Sequence, residues 1–138
     1  MKSKQVLSIE QMKHLQELGL DTSDASMCWC CFLGNIEEEW ELEIYENVLN
    51  QRRDSTFWET TSTYTLQDIL GLLPKEIKSN EDIFRLTMFV IGKMWTVCYS
   101  MSDEFDYYKE FSSVSLMDCA YDMLCWCIEN GYVGKEGD

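Results

Sequence analysis

The stretch FRLTMFVIGKMWTVCY, residues 84–99, constrains the fold more than any other. Gly92-Lys93 suits a two-residue hairpin turn with glycine first. Pairing Ile91 with Met94 then sets the register. Leu86, Met88 and Val90 share one face with Trp95, Val97 and Tyr99. Arg85, Thr87, Thr96 and Ser100 lie on the other, together with Phe89. That second face is half apolar, so partial cover is expected.

A second hairpin is expected earlier, with strands at 27–33 and 39–46 around a turn beginning at Gly34-Asn35. Trp40, Leu42 and Ile44 alternate with Glu39, Glu41 and Glu43, so one face packs and the other is a carboxylate ladder. Helices bracket the hairpins. Ser8-Ile9-Glu10-Gln11 fits a capping box, Ile9, Met12, Leu15 and Leu18 recur at helical spacing, and Gly19 supplies a left-handed stop. Thr65 caps a short helix over 66–73 that Pro74 ends. A long helix over 115–130 carries the stripe Leu116, Cys119, Ala120, Met123, Leu124, Cys127 and Ile128, and Gly131 closes it. Residues 1–7 read as a tail or first strand, and 47–63 as a long loop with a short strand around 57–61. Residues 102–111 read as an acidic, aromatic connection.

The expected architecture is α+β, in the order α-ββ-α-ββ-α. Two hairpins merge into one antiparallel sheet of about four strands, packed on the long C-terminal helix. At 138 residues the chain is expected to be a single domain, 1–138, with a core large enough to need no staples.

The opening MKSKQVLSIEQ has no hydrophobic run, and no segment approaches the roughly 20 apolar residues of a membrane span. The expected compartment is the cytoplasm. Seven cysteines, an odd number, then read as small buried hydrophobes in a reducing setting.

The segments LSIEQMKHLQELGLDTSDASMCW, YTLQDILGLLPKEI and WCIENGY resemble parts of small uncharacterised proteins of prophages and mobile elements in gut Bacteroides-type bacteria. The resemblance covers roughly half the chain, at its two ends and the second helix, and leaves out the Glu-rich middle. It implies a bacterial cytoplasmic protein carried on a mobile element. It implies no activity and no catalytic residues.

Chemistry-bearing residues are few. CWCC (28–31) and CWC (125–127) invite a metal or redox reading. Structural zinc, however, wants converging C-x2-C knuckles, and a thioredoxin-type dithiol wants C-x-x-C. Cys28 and Cys30 on a strand lie roughly 7 Å apart on one face. Cys125 and Cys127 on a helix point about 200° apart. No metal and no cofactor is expected. The single histidine, His14, sits off the apolar stripe of its helix, which leaves nucleophilic catalysis without a base. Asp118 and Asp122 stand at i, i+4, a spacing that suits an acid–base pair as well as a solvated face. Asp103, Glu104 and Asp106 lack the glycine of a calcium loop. Glycine-rich phosphate cradles do not occur.

The charge pattern says more. With 25 Asp and Glu against 11 Lys and Arg, the net charge is −14. Such a surface repels nucleic acid and anionic membrane and attracts basic partners. Six of the ten residues in EEEWELEIYE (37–46) are glutamate. Alternate carboxylates on a strand repeat at roughly 7 Å, a spacing that a basic groove built for phosphates accepts. The plainer reading is an edge strand whose glutamates block edge-to-edge pairing.

The residues expected to bind a partner are Glu37, Glu39, Glu41 and Glu43, with Trp58, Tyr107 and Tyr108 as aromatic anchors. The expected function is a non-enzymatic protein-binding module of a bacterial mobile element, an acidic inhibitor of a host nucleic-acid-binding or defence protein in its sharpest form. The expected partner is a protein with a basic surface. Two alternatives stay open: a structural, self-assembling phage-related component using the face around Phe89 and Ile91, and a small enzyme using carboxylates. The oligomeric state is left undetermined.

Overall fold

The structure, a computed structural model, describes residues 5–34, 39–50, 57–101 and 106–134. Its elements run α1 (Ile9–Glu17), β1 (Met27–Phe32), β2 (Trp40–Ile44), α2 (Tyr45–Asn50), β3 (Trp58–Thr63), α3 (Leu66–Leu72), β4 (Glu76–Ser79), β5 (Asp82–Ile91), β6 (Met94–Ser100), β7 (Tyr107–Ser113) and α4 (Leu116–Glu129). The class is α+β and all strand pairing is antiparallel. A four-stranded sheet, β4-β5-β6-β7, lies under the long C-terminal helix, which packs on β6 and β7.

The two hairpins do not share that sheet. β1 and β2 belong to a separate three-stranded sheet of order β2-β1-β3. β3 takes the place beside β1, pairing Met27 with Thr63 through Phe32 with Trp58. The four-stranded sheet is completed instead by β4 and β7, neither of which the apolar pattern announces. In β7 the residues alternate half-buried and exposed, yet the half-buried set includes Lys109 and Ser113, so the segment reads as polar. Residues 102–105 of the expected connection lie outside the described residues.

The expected register of the β5–β6 hairpin holds along its length, from Ile91 with Met94 to Leu86 with Tyr99. Gly92 has φ +61°, the conformation that glycine alone adopts cheaply. On the helix-facing side Val97 and Tyr99 are fully buried against Cys119, Met123, Cys127 and their neighbours. The Tyr99 hydroxyl donates to the Pro74 carbonyl at 2.8 Å, tying β6 to the end of α3. On the opposite side Thr96, Cys98 and Ser100 are buried too. Phe89 and Tyr107, whose ring centroids are 6.4 Å apart, stand on the strands either side of Cys98.

The second strand of the first hairpin stops at Ile44, earlier than the pattern suggests, and the chain turns into α2. Glu43 makes this turn: its Oε1 accepts from the Ile44 amide at 2.9 Å and from the Asn47 side-chain amide at 3.4 Å. Val48 then sits fully buried on Cys28 and Cys30.

Capping follows the sequence closely. Ser8–Gln11 and Thr65–Asp68 form complete capping boxes. At the start of α4, Ser115 Oγ accepts from the Asp118 amide. The Asp118 carboxylate accepts from Gln11 Nε2 at 3.3 Å, linking the starts of α1 and α4. Helix α4 also buries Met117 and Cys125, off its expected stripe, and α3 packs against the helix as well as the sheet does. The first residues described give an isolated bridge, Val6 with Thr65, rather than a strand.

Candidate protein-docking face

Strand register decides which side chains share a face. In the three-stranded sheet, Glu43, Cys28 and Ser62 form one row across β2, β1 and β3, and Glu41, Cys30 and Thr60 form the next. Phe32 pairs with Trp58, and Glu39, one residue before β2, continues the alternation to the same row. The carboxylate ladder and Trp58 therefore occupy the same side of one sheet, on its two edge strands.

Helix α2 follows directly on Ile44, so it covers the Cys28–Cys30 end of this face. At the other end the described residues leave several side chains exposed. Glu39 and Glu41 are exposed. Phe32 is 43% exposed and stacks on Trp58, with ring centroids 5.0 Å apart at 45°. Phe57 and Leu33 are exposed beside them, joined by a hydrogen bond from the Leu33 amide to the Phe57 carbonyl. An apolar aromatic pair flanked by carboxylates suits an arginine- or lysine-bearing surface, which gains both ion pairing and contact with aromatic rings.

The remaining expected anchors lie elsewhere. Tyr107 and Tyr108 are on β7, in the other sheet. Tyr107 lies near Phe89, whereas Tyr108 packs among Phe84, Trp126 and Tyr132 and shares a hydrogen bond with the Tyr132 hydroxyl at 3.1 Å. Glu43 is half-buried and serves the start of α2. Glu37 lies outside the described residues. Phe32 was not among the expected anchors, although the alternation that pairs Cys28 with Cys30 also carries it onto their face.

The thiols have a separate account. Cys28 and Cys30 are buried under α2, and Trp29 projects from the opposite face to donate from Nε1 to the Leu7 carbonyl at 3.0 Å. Cys119, Cys125 and Cys127 belong to a different cluster, around α4. Among the described residues no group of three or more His, Cys, Asp or Glu side chains converges as metal ligands would. Burial, then neighbouring Cys30, pushes the Cys28 thiol up to about 12, and burial raises Cys125 and Cys127 to about 11. Thiols held protonated at neutral pH make poor nucleophiles.

Polar clefts lie elsewhere on the described surface. One of about 440 Å³ is lined by Asp24, Ser26, Tyr64, Asp68 and their neighbours. Its carboxylates already serve the fold. Asp24 accepts from the Tyr64 hydroxyl at 2.8 Å, and Asp68 accepts from the Thr65 amide and from both the amide and hydroxyl of Ser26. Another, about 320 Å³, is lined largely by hydroxyl side chains, with Lys13 at its edge. His14 is exposed and lies 3.9 Å from Glu17. Asp122 is held above the ordinary carboxyl range by burial and by Asp118. Among the described residues no helix is long and apolar enough to cross a membrane.

Comparison with known proteins yields no match to a family model, to a curated protein or to a solved structure, so the resemblance to mobile-element proteins rests on its quoted segments alone.

Proposed function

We propose that this protein is a non-enzymatic binding module that docks a basic protein surface through the open end of its three-stranded sheet. The observation carrying this reading is the single row in which Glu39 falls beside the stacked Phe32–Trp58 pair, with Glu41 in the adjoining row. Exposed Phe32, stacked on half-buried Trp58, supplies contact area, and the carboxylates select for positive charge. On a mobile element in a bacterial cytoplasm, the partner class that fits is a host protein with a phosphate-binding groove, whose occupation by this face would exclude nucleic acid.

The test is a tagged pull-down from host lysate with low-salt and high-salt washes, repeated with Glu39→Lys/Glu41→Lys and with Trp58→Ala. The expected result is a basic protein retained at low salt and released at high salt. Charge reversal should abolish its capture while circular dichroism stays unchanged. Capture that survives charge reversal in a folded variant would remove the reading. Glu43→Lys is kept out of the binding test, because that carboxylate holds the β2–α2 turn.

A further inference from the structure

Strand β2 is an outer strand of its sheet. The Tyr45 amide, one residue past β2, donates back to the Ser26 carbonyl at 3.1 Å, just before β1. Backbone groups alternate in direction along a strand, so Glu43 and Glu41 also face β1, while Trp40, Leu42 and Ile44 face outward. The outward amide of Ile44 is taken by Glu43 Oε1 at 2.9 Å. Among the described residues nothing pairs with the outward backbone groups of Leu42 and Trp40. The side chains along this stretch divide by face. Exposed Glu39 and Glu41 stand on one. Half-buried Trp40 and Leu42 stand on the other, opposite Cys31 and Trp29 of β1, with Ile44 beyond them at 49% exposure.

We propose that this edge takes up an extended basic segment of the partner as an added antiparallel strand, in which lysine or arginine alternates with apolar residues. The inference rests on the docking reading above and names what its glutamates recognise. Residues opposite Leu42 and Trp40 exchange backbone bonds with them and share their face, so they are apolar. Residues opposite Glu39 and Glu41 lie on the carboxylate face, within about 5.5 Å at Cβ, so they are cationic. Charge selects this occupant. A second copy paired along the same edge sets outward residues against outward residues, and therefore glutamate against glutamate, which is destabilising. The glutamates that keep an acidic edge away thus admit a basic one. A basic loop without the alternation meets the carboxylates but leaves the Leu42 and Trp40 groups unpaired. A strand answers both. Its bonding stops at Leu42, because the Ile44 amide is already bonded and α2 begins at Tyr45.

The probe is an end-blocked peptide of alternating lysine and valine, titrated into the full chain up to about 1 mM beside a block isomer with all its lysines before its valines. The two peptides have the same charge and composition. The alternating one should bind at least about tenfold tighter and should protect the Leu42 amide from hydrogen exchange. N-methylation of its valine amides, which face β2, should abolish binding, whereas N-methylation of its lysine amides, which face away, should not. Leu42→Pro removes an outward amide while sparing the bonds of Glu41 and Glu43 to β1, and should weaken binding by at least about tenfold. If that variant misfolds, the methylated peptides decide the matter on the unaltered chain. An alternating peptide that binds no tighter than its block isomer, or that is indifferent to which amides carry the methyl groups, overturns strand addition. The docking reading fails separately, on capture of the basic partner that survives charge reversal at Glu39 and Glu41.

Discussion

The two sheets are built by the same strand chemistry and are covered very differently. The four-stranded sheet lies under fourteen residues of α4, and its cluster draws in α1 and α3 as well. Among the described residues, the three-stranded sheet is covered on one face mainly by the six residues of α2, with Val48 on Cys28 and Cys30 and the Thr22 hydroxyl bonded to Ser62. A sheet with a broad lid supplies stability, and a sheet with a narrow one has surface left for binding. Small cysteines under a short helix keep the second core thin, with half-buried Trp58 at its border and Phe32 exposed beyond it.

The largest expected effect comes from the deeper core. Leu124→Ala should cost about 2–5 kcal/mol and lower the midpoint of global unfolding. Val48→Ala removes two methyl groups from the thinner core and should cost about 1–2 kcal/mol. The sharper readout is hydrogen exchange. In the Val48 variant the amides of β1 should lose protection while those of β6 keep theirs. Equal loss in both strands would show that the sheets open as one unit, and the contrast between them would collapse.

Alkaline pH probes both cores at once. Cys28 titrates at about 12 in the folded chain, and Cys125 and Cys127 at about 11, all raised from an ordinary 9.0 by burial. Burial also raises the phenols of Tyr64 and Tyr99. A group with a raised folded pKa gives its full stabilisation below the unfolded value and loses it as pH climbs towards the folded one. Stability should therefore hold up to about pH 9 and fall between about 9 and 12. Cys28→Ala should soften that fall for β1 protection alone. A slope unchanged by Cys28→Ala would mean that the thin core is not where this thiol acts.

Much of this division was legible in the residues, and the missing parts share a cause. The β5–β6 register was readable because Gly92 fixes the turn and every later pair follows from it. The glutamate ladder was readable from the alternation in WELEI. Sheet membership was not, since β1 finds β3 across a long connection and no local pattern records that pairing. β7 was hidden because a polar edge strand has few apolar residues to alternate. α2 was hidden because a six-residue helix shows too little periodicity. At the proposed docking face, Phe32 was recoverable from strand alternation alone. The departure of Tyr107 and Tyr108 to the other sheet was not, because it depends on the same long-range pairing.

The smallest effect worth measuring tests how the deep core is closed at its edge. Gln11 does two things at once: Oε1 accepts from the Ser8 amide at 3.0 Å, and Nε2 donates to Asp118 at 3.3 Å. The first completes a local cap, and the second joins two helices far apart in sequence. Gln11→Ala should cost about 1 kcal/mol through the cap and the tie together. Asp118→Ala removes the tie while leaving Ser115 bonded to the backbone amide at 118. A double-mutant cycle separates the terms, with a coupling of about 0.5 kcal/mol expected if the tie is real in solution. A coupling near zero would mean that α1 is held to α4 by packing, with Met12 and Leu15 in the core and His14 near Tyr121, rather than by the Gln11–Asp118 tie.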